Sequence, residues 1–154
     1  MTYLLIQFFL ALFATLGFAI IFRVPKRDIP ACVIVGACGW IAYQITVAGL
    51  DSSVMACFVG ACVVGVLSTG CSYMLKEAAT IFVIPGILCL VPGSHIFRTM
   101  EALLLQNLEK SAEIGLQTLF MAGAIAVGLL VVGALFGTLR SLIKKTANLK
   151  DRMQ

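Results

Sequence analysis

A strongly apolar stretch in the middle of the chain, residues 80–101, is interrupted by two Pro-Gly pairs, Pro85-Gly86 and Pro92-Gly93. Proline lacks a backbone N–H and disturbs a helix, so each pair is expected to leave carbonyl groups without helical partners. Inside a membrane, such groups are tolerated only against other protein or a water-filled cavity. Broken helices of this kind often mark substrate or ion sites in transporters. We therefore predict that this stretch forms the site of a transporter subunit.

The composition places the whole chain in a membrane. Of its 154 residues, 61% are hydrophobic and 12% are charged, and the mean hydropathy is +1.07. A typical soluble domain has about half apolar and about a quarter charged residues. The N-terminal run lacks a basic region and a small-residue cleavage site before Arg23, so we expect a retained span rather than a cleaved signal peptide.

Five apolar runs approach or exceed the roughly 20 residues that a helix needs to cross a bilayer. They are residues 4–22, 29–49, 52–75, 80–97 and 114–139. We predict an all-α fold: a polytopic membrane helix bundle of five spans, the fourth broken by the two Pro-Gly pairs. The chain 1–154 is thus expected to be one transmembrane domain, in which 98–113 is mixed and partly amphipathic. The basic tail 140–154 is expected to lie on the cytoplasmic membrane surface, against anionic lipid headgroups.

The distribution of cations predicts the orientation. With five spans, only Arg98 and Lys110 fall on one side, and nine Lys and Arg residues fall on the other: Arg23, Lys26, Arg27, Lys76, Arg140, Lys144, Lys145, Lys150 and Arg152. Cytoplasmic loops carry the excess of Lys and Arg. We therefore expect the chain to lie in the plasma membrane, with its N-terminus outside the cell and its C-terminus in the cytoplasm. If 80–97 dipped in and returned, the two basic clusters would lie on opposite sides, so we expect it to cross.

Small residues and cysteines indicate a closely packed bundle without a metal site. Small residues recur four apart in the third and fifth runs, a spacing that lets helices approach closely and favours packing against another subunit. The six cysteines lie in apolar runs, and none forms a C-x-x-C pair. Zinc and redox sites need closer pairs. We therefore predict helix contacts for the cysteines, and no metal or cofactor.

The candidate pathway residues lie mainly on the broken segment. They are Pro85, Gly86, Pro92, Gly93, Ser94, His95, Arg98 and, on the second run, Gln44. The two Pro-Gly pairs form either a site or simple kinks. A helix that begins after Gly93 can receive a substrate carboxylate on its free amides, or Ser94 can cap it instead. Gln44 lines a path or bonds another helix.

His95 and Arg98 are the ionisable candidates on this segment. His95 is the only histidine and either titrates near physiological pH or is an interfacial residue at a span end. Arg98 either pairs with a carboxylate of a substrate or partner, or with Glu101 on its own helix.

Other functional classes find little support. The sequence contains no H-E-x-x-H, G-x-S-x-G or P-loop motif and no acidic metal cluster, so we predict no enzyme. The net charge of +4 comes from cations at the ends of the runs. That placement indicates topology and lipid contact rather than binding of nucleic acid.

Two segments resemble the signature of a known family. FRVPKR at 22–27 is similar to a turn of the form F-x-V-P-x-R. IPGILCLVPG at 84–93, followed by Ile96 and Arg98-Thr99-Met100, is similar to I-P-G-I-L-P-L-V-P-G…I-Y-R-T-M. The chain resembles the threonine/serine exporter family, specifically the small subunit of its split, two-protein form, which corresponds to the C-terminal half of the single-chain ThrE exporters. It departs at Cys89, where proline is usual, at Phe97, where tyrosine is usual, and at His95, where a small residue is expected.

The resemblance implies export of small polar metabolites, namely threonine and serine, or succinate for the split form. It also implies a larger partner membrane subunit of the same family, and hence a hetero-oligomer. Two other interpretations remain open from the residues: a non-transporting scaffold or assembly subunit, and a homo-oligomeric channel.

Overall fold

The structure is a computed structural model that describes the backbone of residues 2–151 and the side chains of residues 4–138. Six helices follow one another: α1 (Thr2–Ile21), α2 (Ile29–Leu50), α3 (Ser53–Leu75), α4 (Thr80–Leu88), α5 (Gly93–Leu104) and α6 (Leu108–Asp151). Within the described residues there is no strand, because the long apolar runs carry few turn residues and satisfy their backbone only as helices.

Four of these helices are long and apolar enough to cross a membrane: α1, α2, α3 and the part Leu108–Thr138 of α6. The short helices α4 and α5 are joined by a break at which their axes bend by 49°, and together they make a fifth candidate span. The prediction of an all-α polytopic bundle is confirmed. The prediction that the tail 140–154 lies on the membrane surface concerns side chains outside the described residues.

The helices form a row with the broken pair laid across it. In the row, α1 packs on α2, α2 on α3, and α3 on α6. Helix α4 packs on α1, α2 and α3, whereas α5 packs on α6. The chain therefore leaves the middle of the bundle at the break and moves to its edge.

Helices α3 and α6 run in the same direction. A Cβ atom on Gly65 would lie 3.1 Å from Val132, and one on Gly128 would lie 3.0 Å from Ala61, so both residue numbers rise together along the contact. Parallel neighbours require the chain between them to return across the bundle. A segment that merely dipped in and turned back would make α6 antiparallel to α3. This geometry supports the expected crossing by the α4–α5 pair.

The core lies around the break. Its buried residues come from α2, α3, the break and α6, and include Val35, Cys57, Ala61, Val64, Leu90, Met121 and Ile125. Leu90 lies just after α4 and fits between two helices that present glycine there: a Cβ atom on Gly60 would collide with Leu90, and one on Gly39 would lie 3.5 Å from it. The small residues of α2 and α3 thus make room for the side chain that anchors the break.

The turn after α1 is closed by a non-glycine residue in the left-handed region. Arg23 has a φ of 53°, its N–H donates to the Ile20 carbonyl at 3.0 Å, and the Val24 N–H donates to the Ala19 carbonyl at 3.0 Å. This pair of bonds is the Schellman arrangement that ends many helices. It directs the basic turn, residues 22–27, back toward α4.

Candidate functional site

The first Pro-Gly pair does not interrupt the helix. Pro85 lies inside α4, and both Pro85 and Gly86 are buried. Proline cannot donate to the Ile81 carbonyl, the acceptor that residue 85 would use in an unbroken helix. The Cys32 thiol of α2 donates to that carbonyl at 3.4 Å instead. A neighbouring helix therefore satisfies the group that proline leaves free, which differs from the break expected there.

The second Pro-Gly pair coincides with the break. Helix α4 ends at Leu88, and α5 begins at Gly93 with Pro92 as its N-cap residue and no side-chain cap. Ser94, one of the two possibilities for the start of this helix, does not cap it, because the N-cap residue lies two positions earlier and Ser94 is the second residue of the helix. Ser94 is exposed, and its hydroxyl lies 3.5 Å from Nδ1 of the half-buried His95.

A cavity of about 170 Å³ lies beside the break, and we call it the break cavity. Its lining comes from α1, α2 and the break: Gln7, Leu10, Ala11, Ala14, Phe18, Trp40 and Cys89. The indole N–H of Trp40 donates to Oε1 of Gln7 at 3.0 Å. Next to the cavity, the hydroxyl of Thr15 and the thiol of Cys89 lie 3.2 Å apart. Polar groups from three segments thus meet around the break.

Sequence reasoning did not single out Gln7, Thr15 or Trp40 as site residues. One signal was present in the sequence: Gln7, Ala11 and Thr15 are spaced by four and so share one face of α1. The direction in which that face points depends on tertiary packing, and the sequence does not reveal it. Cys89 was noted only as a departure from the family pattern.

Gln44 lies one turn beyond Trp40 on α2 and is half-buried. It is absent from the lining of the break cavity. Its predicted role on the path stays a prediction.

A second cavity, of about 310 Å³, lies where the basic turn meets the start of α4, and we call it the basic-turn cavity. Its lining is Phe22, Arg23, Val24, Pro25, Thr80, Ile81, Ile84 and Pro85. Pro25 belongs to the first of the two family-like segments, and Ile84 and Pro85 belong to the second. Although these segments are far apart in the sequence, the fold brings them to the same cavity. The first Pro-Gly pair therefore lies at the end of the bundle where the basic turn is found.

A third cavity, of about 410 Å³, lies between α5 and the start of α6, and we call it the hairpin cavity. Its lining is Arg98, Glu101, Ala102, Leu105, Asn107, Lys110 and Ile114. The turn is held by Ser111, whose hydroxyl donates to the Thr99 carbonyl at 3.1 Å, and by Asn107, whose Oδ1 accepts from the Lys110 N–H at 3.1 Å. Arg98 thus shares a cavity with a carboxylate and a second cation.

The predicted site residues are therefore divided among different places. Pro85 lines the basic-turn cavity and Arg98 the hairpin cavity, whereas Pro92 and Gly93 form the junction of α4 and α5. Among the described residues, no group of three or more His, Cys, Asp or Glu side chains is placed to hold a metal ion.

Comparison with known proteins places these features in a family. Residues 7–135 match the family described as Threonine/Serine exporter, ThrE. Over 141 residues the chain is 27% identical to an uncharacterized protein of Haemophilus influenzae, and the match covers 86% of this chain and 48% of that protein. The chain thus spans about half the length of the curated relative that it matches. No solved structure matches the chain.

Proposed function

Since the chain belongs to the threonine/serine exporter family, we propose that it is one subunit of a secondary transporter that exports a small polar metabolite across the plasma membrane. The observation that carries the proposal is the break cavity. Binding sites of secondary transporters lie near the middle of the membrane and are commonly formed by discontinuous helices. Here the break between α4 and α5 adjoins a cavity whose polar groups come from Gln7, Trp40 and Cys89.

The size of the break cavity suits a metabolite of few heavy atoms. Its volume of about 170 Å³ is below the roughly 300 Å³ at which sites for drug-sized ligands begin. Threonine and serine, which the family description names, are metabolites of this size. A dicarboxylate such as succinate is the second candidate.

The hairpin cavity favours the amino acids over the dicarboxylate. Arg98 and Lys110 can attract a carboxylate, and Glu101 of the same cavity can attract an ammonium group. A dicarboxylate would bring its second negative charge close to Glu101. Both signs of charge in one cavity therefore match a zwitterion better than a dianion.

We propose that a larger membrane subunit of the same family supplies the other wall of the path, which makes the assembly a hetero-oligomer. Helix α1, which lines the break cavity, leaves many large apolar side chains exposed, among them Leu5, Phe9 and Phe13. The relative from Haemophilus influenzae has more than half of its length outside the matched region. That extra length is enough for a second membrane unit of similar size.

The orientation follows from the cations and stays a proposal. With the N-terminus outside and the C-terminus in the cytoplasm, the basic-turn cavity opens toward the cytoplasm and the hairpin cavity toward the outside. Along the α4–α5 pair, the basic-turn cavity would then be the entry, the break cavity the central site and the hairpin cavity the exit.

The direct test is counterflow of labelled serine, threonine and succinate in proteoliposomes that contain the chain alone or with its partner subunit. We expect serine or threonine flux only with both subunits. Flux from the chain alone would indicate a homo-oligomeric channel or carrier, and no substrate-dependent flux in any combination would overturn the exporter proposal.

The break cavity is tested by Gln7→Leu, which removes the acceptor of the Trp40 indole N–H. Gln117→Leu is the matched control, because Gln117 is exposed on α6. Counterflow per assembled complex should fall about tenfold in Gln7→Leu, the effect of losing about 1.4 kcal/mol of binding, and stay unchanged in the control. Equal flux in both variants would remove the break cavity from the path. A fall in complex abundance with normal flux per complex would favour the scaffold interpretation.

A further inference from the structure

A fourth cavity lies at the same end of the bundle as the basic turn, between the end of α3, the α3–α4 connection and α6, and we call it the α3–α6 groove. Its volume is about 560 Å³, within the range of roughly 300–1,000 Å³ that is usual for sites of small ligands. None of its lining residues belongs to the other three cavities. Its lining includes Lys76 and Glu77 at one end and Thr69, Tyr73, Gly133 and Gly137 along its length.

The groove exists because α3 and α6 separate toward this end. A Cβ atom on Gly65 would lie 3.1 Å from Val132. One on Gly133 or Gly137 would meet no neighbour within 4 Å among the described residues. Glycine lowers the stability of a helix, and these two glycines make room for no side chain of this chain. In the described part of the chain, α6 packs only on α3 and α5, so the groove opens to whatever surrounds α6 in the membrane.

The groove is charged at one end and less polar along the rest. Thr69 precedes Lys76 by seven residues, which is about 10 Å at 1.5 Å per residue. One headgroup layer of a bilayer is about 5 to 8 Å thick, so the groove reaches past the headgroups into the hydrocarbon. Met74 and Leu135, on the two helices that flank it, are 84% and 59% exposed. An occupant must therefore be amphipathic, and a phospholipid has this form.

The two charges of the groove define the headgroup. Lys76 and Glu77 are both exposed, so both are accessible to a ligand. The Lys76 ammonium can hold a phosphate, to which the Tyr73 hydroxyl can also donate. The Glu77 carboxylate can accept from an ammonium group. A choline headgroup has no N–H to donate, and a glycerol headgroup has no cation, so the two charges match a phosphate joined to a primary ammonium group.

The turn that carries these charges leads directly into the broken segment. Lys76 caps α3 with a φ of 58°, and the Ser72 hydroxyl donates to the Glu77 carbonyl at 2.6 Å. Ala79, which also lines the groove, is the N-cap residue of α4, and its carbonyl accepts from the Val83 N–H at 3.0 Å. Within the described residues, α4 and α6 do not pack on each other. A ligand in the groove would therefore bridge α6 and the turn from which α4 starts.

We propose that the α3–α6 groove binds a phospholipid of the phosphatidylethanolamine class. Its phosphate lies at Lys76, its ammonium at Glu77, and an acyl chain lies along Gly133 and Gly137. In the proposed orientation, this lipid belongs to the cytoplasmic leaflet. It fills the space that the chain leaves between α6 and the start of α4.

The first test measures headgroup selectivity without transport. The full-length chain, purified with any subunit that stays bound to it, is titrated with synthetic phosphatidylethanolamine, phosphatidylcholine and phosphatidylglycerol of identical acyl chains, and bound lipid is counted by native mass spectrometry. Phosphatidylethanolamine should bind about fivefold more tightly than the other two, the upper range for the gain from one exposed ion pair. Equal binding of the three lipids, or tighter binding of phosphatidylglycerol, overturns the proposal.

The charges are tested one at a time. Glu77→Gln should lower the affinity for phosphatidylethanolamine to that for phosphatidylcholine. Lys76→Asn should weaken binding of all three lipids, and asparagine tolerates the left-handed backbone at this position. Glu109→Gln and Lys26→Gln are the matched controls, because both residues are exposed and lie outside the groove. Headgroup selectivity that survives Glu77→Gln would place the ammonium elsewhere and contradict the assignment.

Filling the groove tests where the lipid lies. Gly133→Leu puts a side chain into the groove, and Gly123→Leu is the matched control, since Gly123 also faces open space on α6 but lies outside the groove. The affinity for phosphatidylethanolamine should fall at least about tenfold in Gly133→Leu and stay unchanged in the control. Unchanged affinity in Gly133→Leu would refute the site, and loss of a bound subunit in place of lipid would show a protein interface instead. No step uses a transported substrate, so failure of the exporter proposal would leave this result intact.

Discussion

The two Pro-Gly pairs of the broken segment have the same composition and opposite structural outcomes. Pro85-Gly86 is buried inside a continuous helix, whereas Pro92-Gly93 stands at a break where the axis bends by 49°. At the first pair, Cys32 supplies the missing donor and the α2 and α3 side chains close on Gly86. At the second, a Cβ atom on Gly93 would meet no neighbour within 4 Å among the described residues. The dipeptide alone therefore does not determine a break; the neighbours do.

The largest expected effect concerns the space at each glycine. A Cβ atom on Gly86 would lie 3.2 Å from Val64 and 3.3 Å from Val35, so Gly86→Leu should cost at least about 3 kcal/mol, the upper range for overpacking. Gly93→Leu should leave folding nearly unchanged. Thermal unfolding in detergent, followed by size-exclusion chromatography, compares the two variants. Equal losses of stability in the two variants would show that the two Pro-Gly pairs do not differ in how closely they are packed.

The second prediction concerns the proline at the break. Pro92→Ala removes a penalty of about 3 kcal/mol against a helix that continues through this position, so α4 and α5 should tend to join and displace Cys89 from the break cavity. Counterflow should fall severalfold while thermal stability is kept. Pro30→Ala, in the first turn of α2 where proline is well tolerated, is the control. Normal flux in Pro92→Ala would show that the break is not needed for transport.

The smallest effect concerns the thiol that supports the first pair. Cys32→Ala should destabilise the protein by about 1 kcal/mol more than Cys57→Ala, because both sites are fully buried but only Cys32 leaves a carbonyl without its donor. Adding Pro85→Ala should recover part of the loss, since alanine restores the N–H that bonds the Ile81 carbonyl. The unfolding temperatures of Cys32→Ala, Pro85→Ala and their double variant, each compared with wild type, give the coupling free energy between the two substitutions. Strict additivity would show that the thiol does not replace the missing amide.

The sequence was sufficient for the long helices and insufficient for the site. Apolar length predicts α1, α2, α3 and α6 because the bilayer fixes how many apolar residues a span needs. The continuity of α4 through Pro85 depends on Cys32, which lies 49 positions before the Ile81 carbonyl that it bonds. The N-cap of α5 lies two residues before Ser94, the residue considered as a cap, and this offset makes Ser94 a first-turn residue instead.

The remaining site features arise from packing between distant segments. Gln7 and Trp40 bond each other across α1 and α2, and neither carries a recognisable motif. Asp28 directly follows the basic turn in the sequence, and only the packing of the surrounding helices buries its side chain.

The length of α6 ties this chain to the thickness of its bilayer. Its candidate span, Leu108–Thr138, has 31 residues, about 46 Å at 1.5 Å per residue, whereas the hydrocarbon core is about 30 Å thick. Such hydrophobic mismatch is relieved by tilting the helix or by letting its end emerge. Because α5 packs on α6 and not on the rest of the row, a change in tilt would carry the hairpin cavity with it. Lipids with longer or shorter acyl chains would thus reposition one end of the path without touching the other.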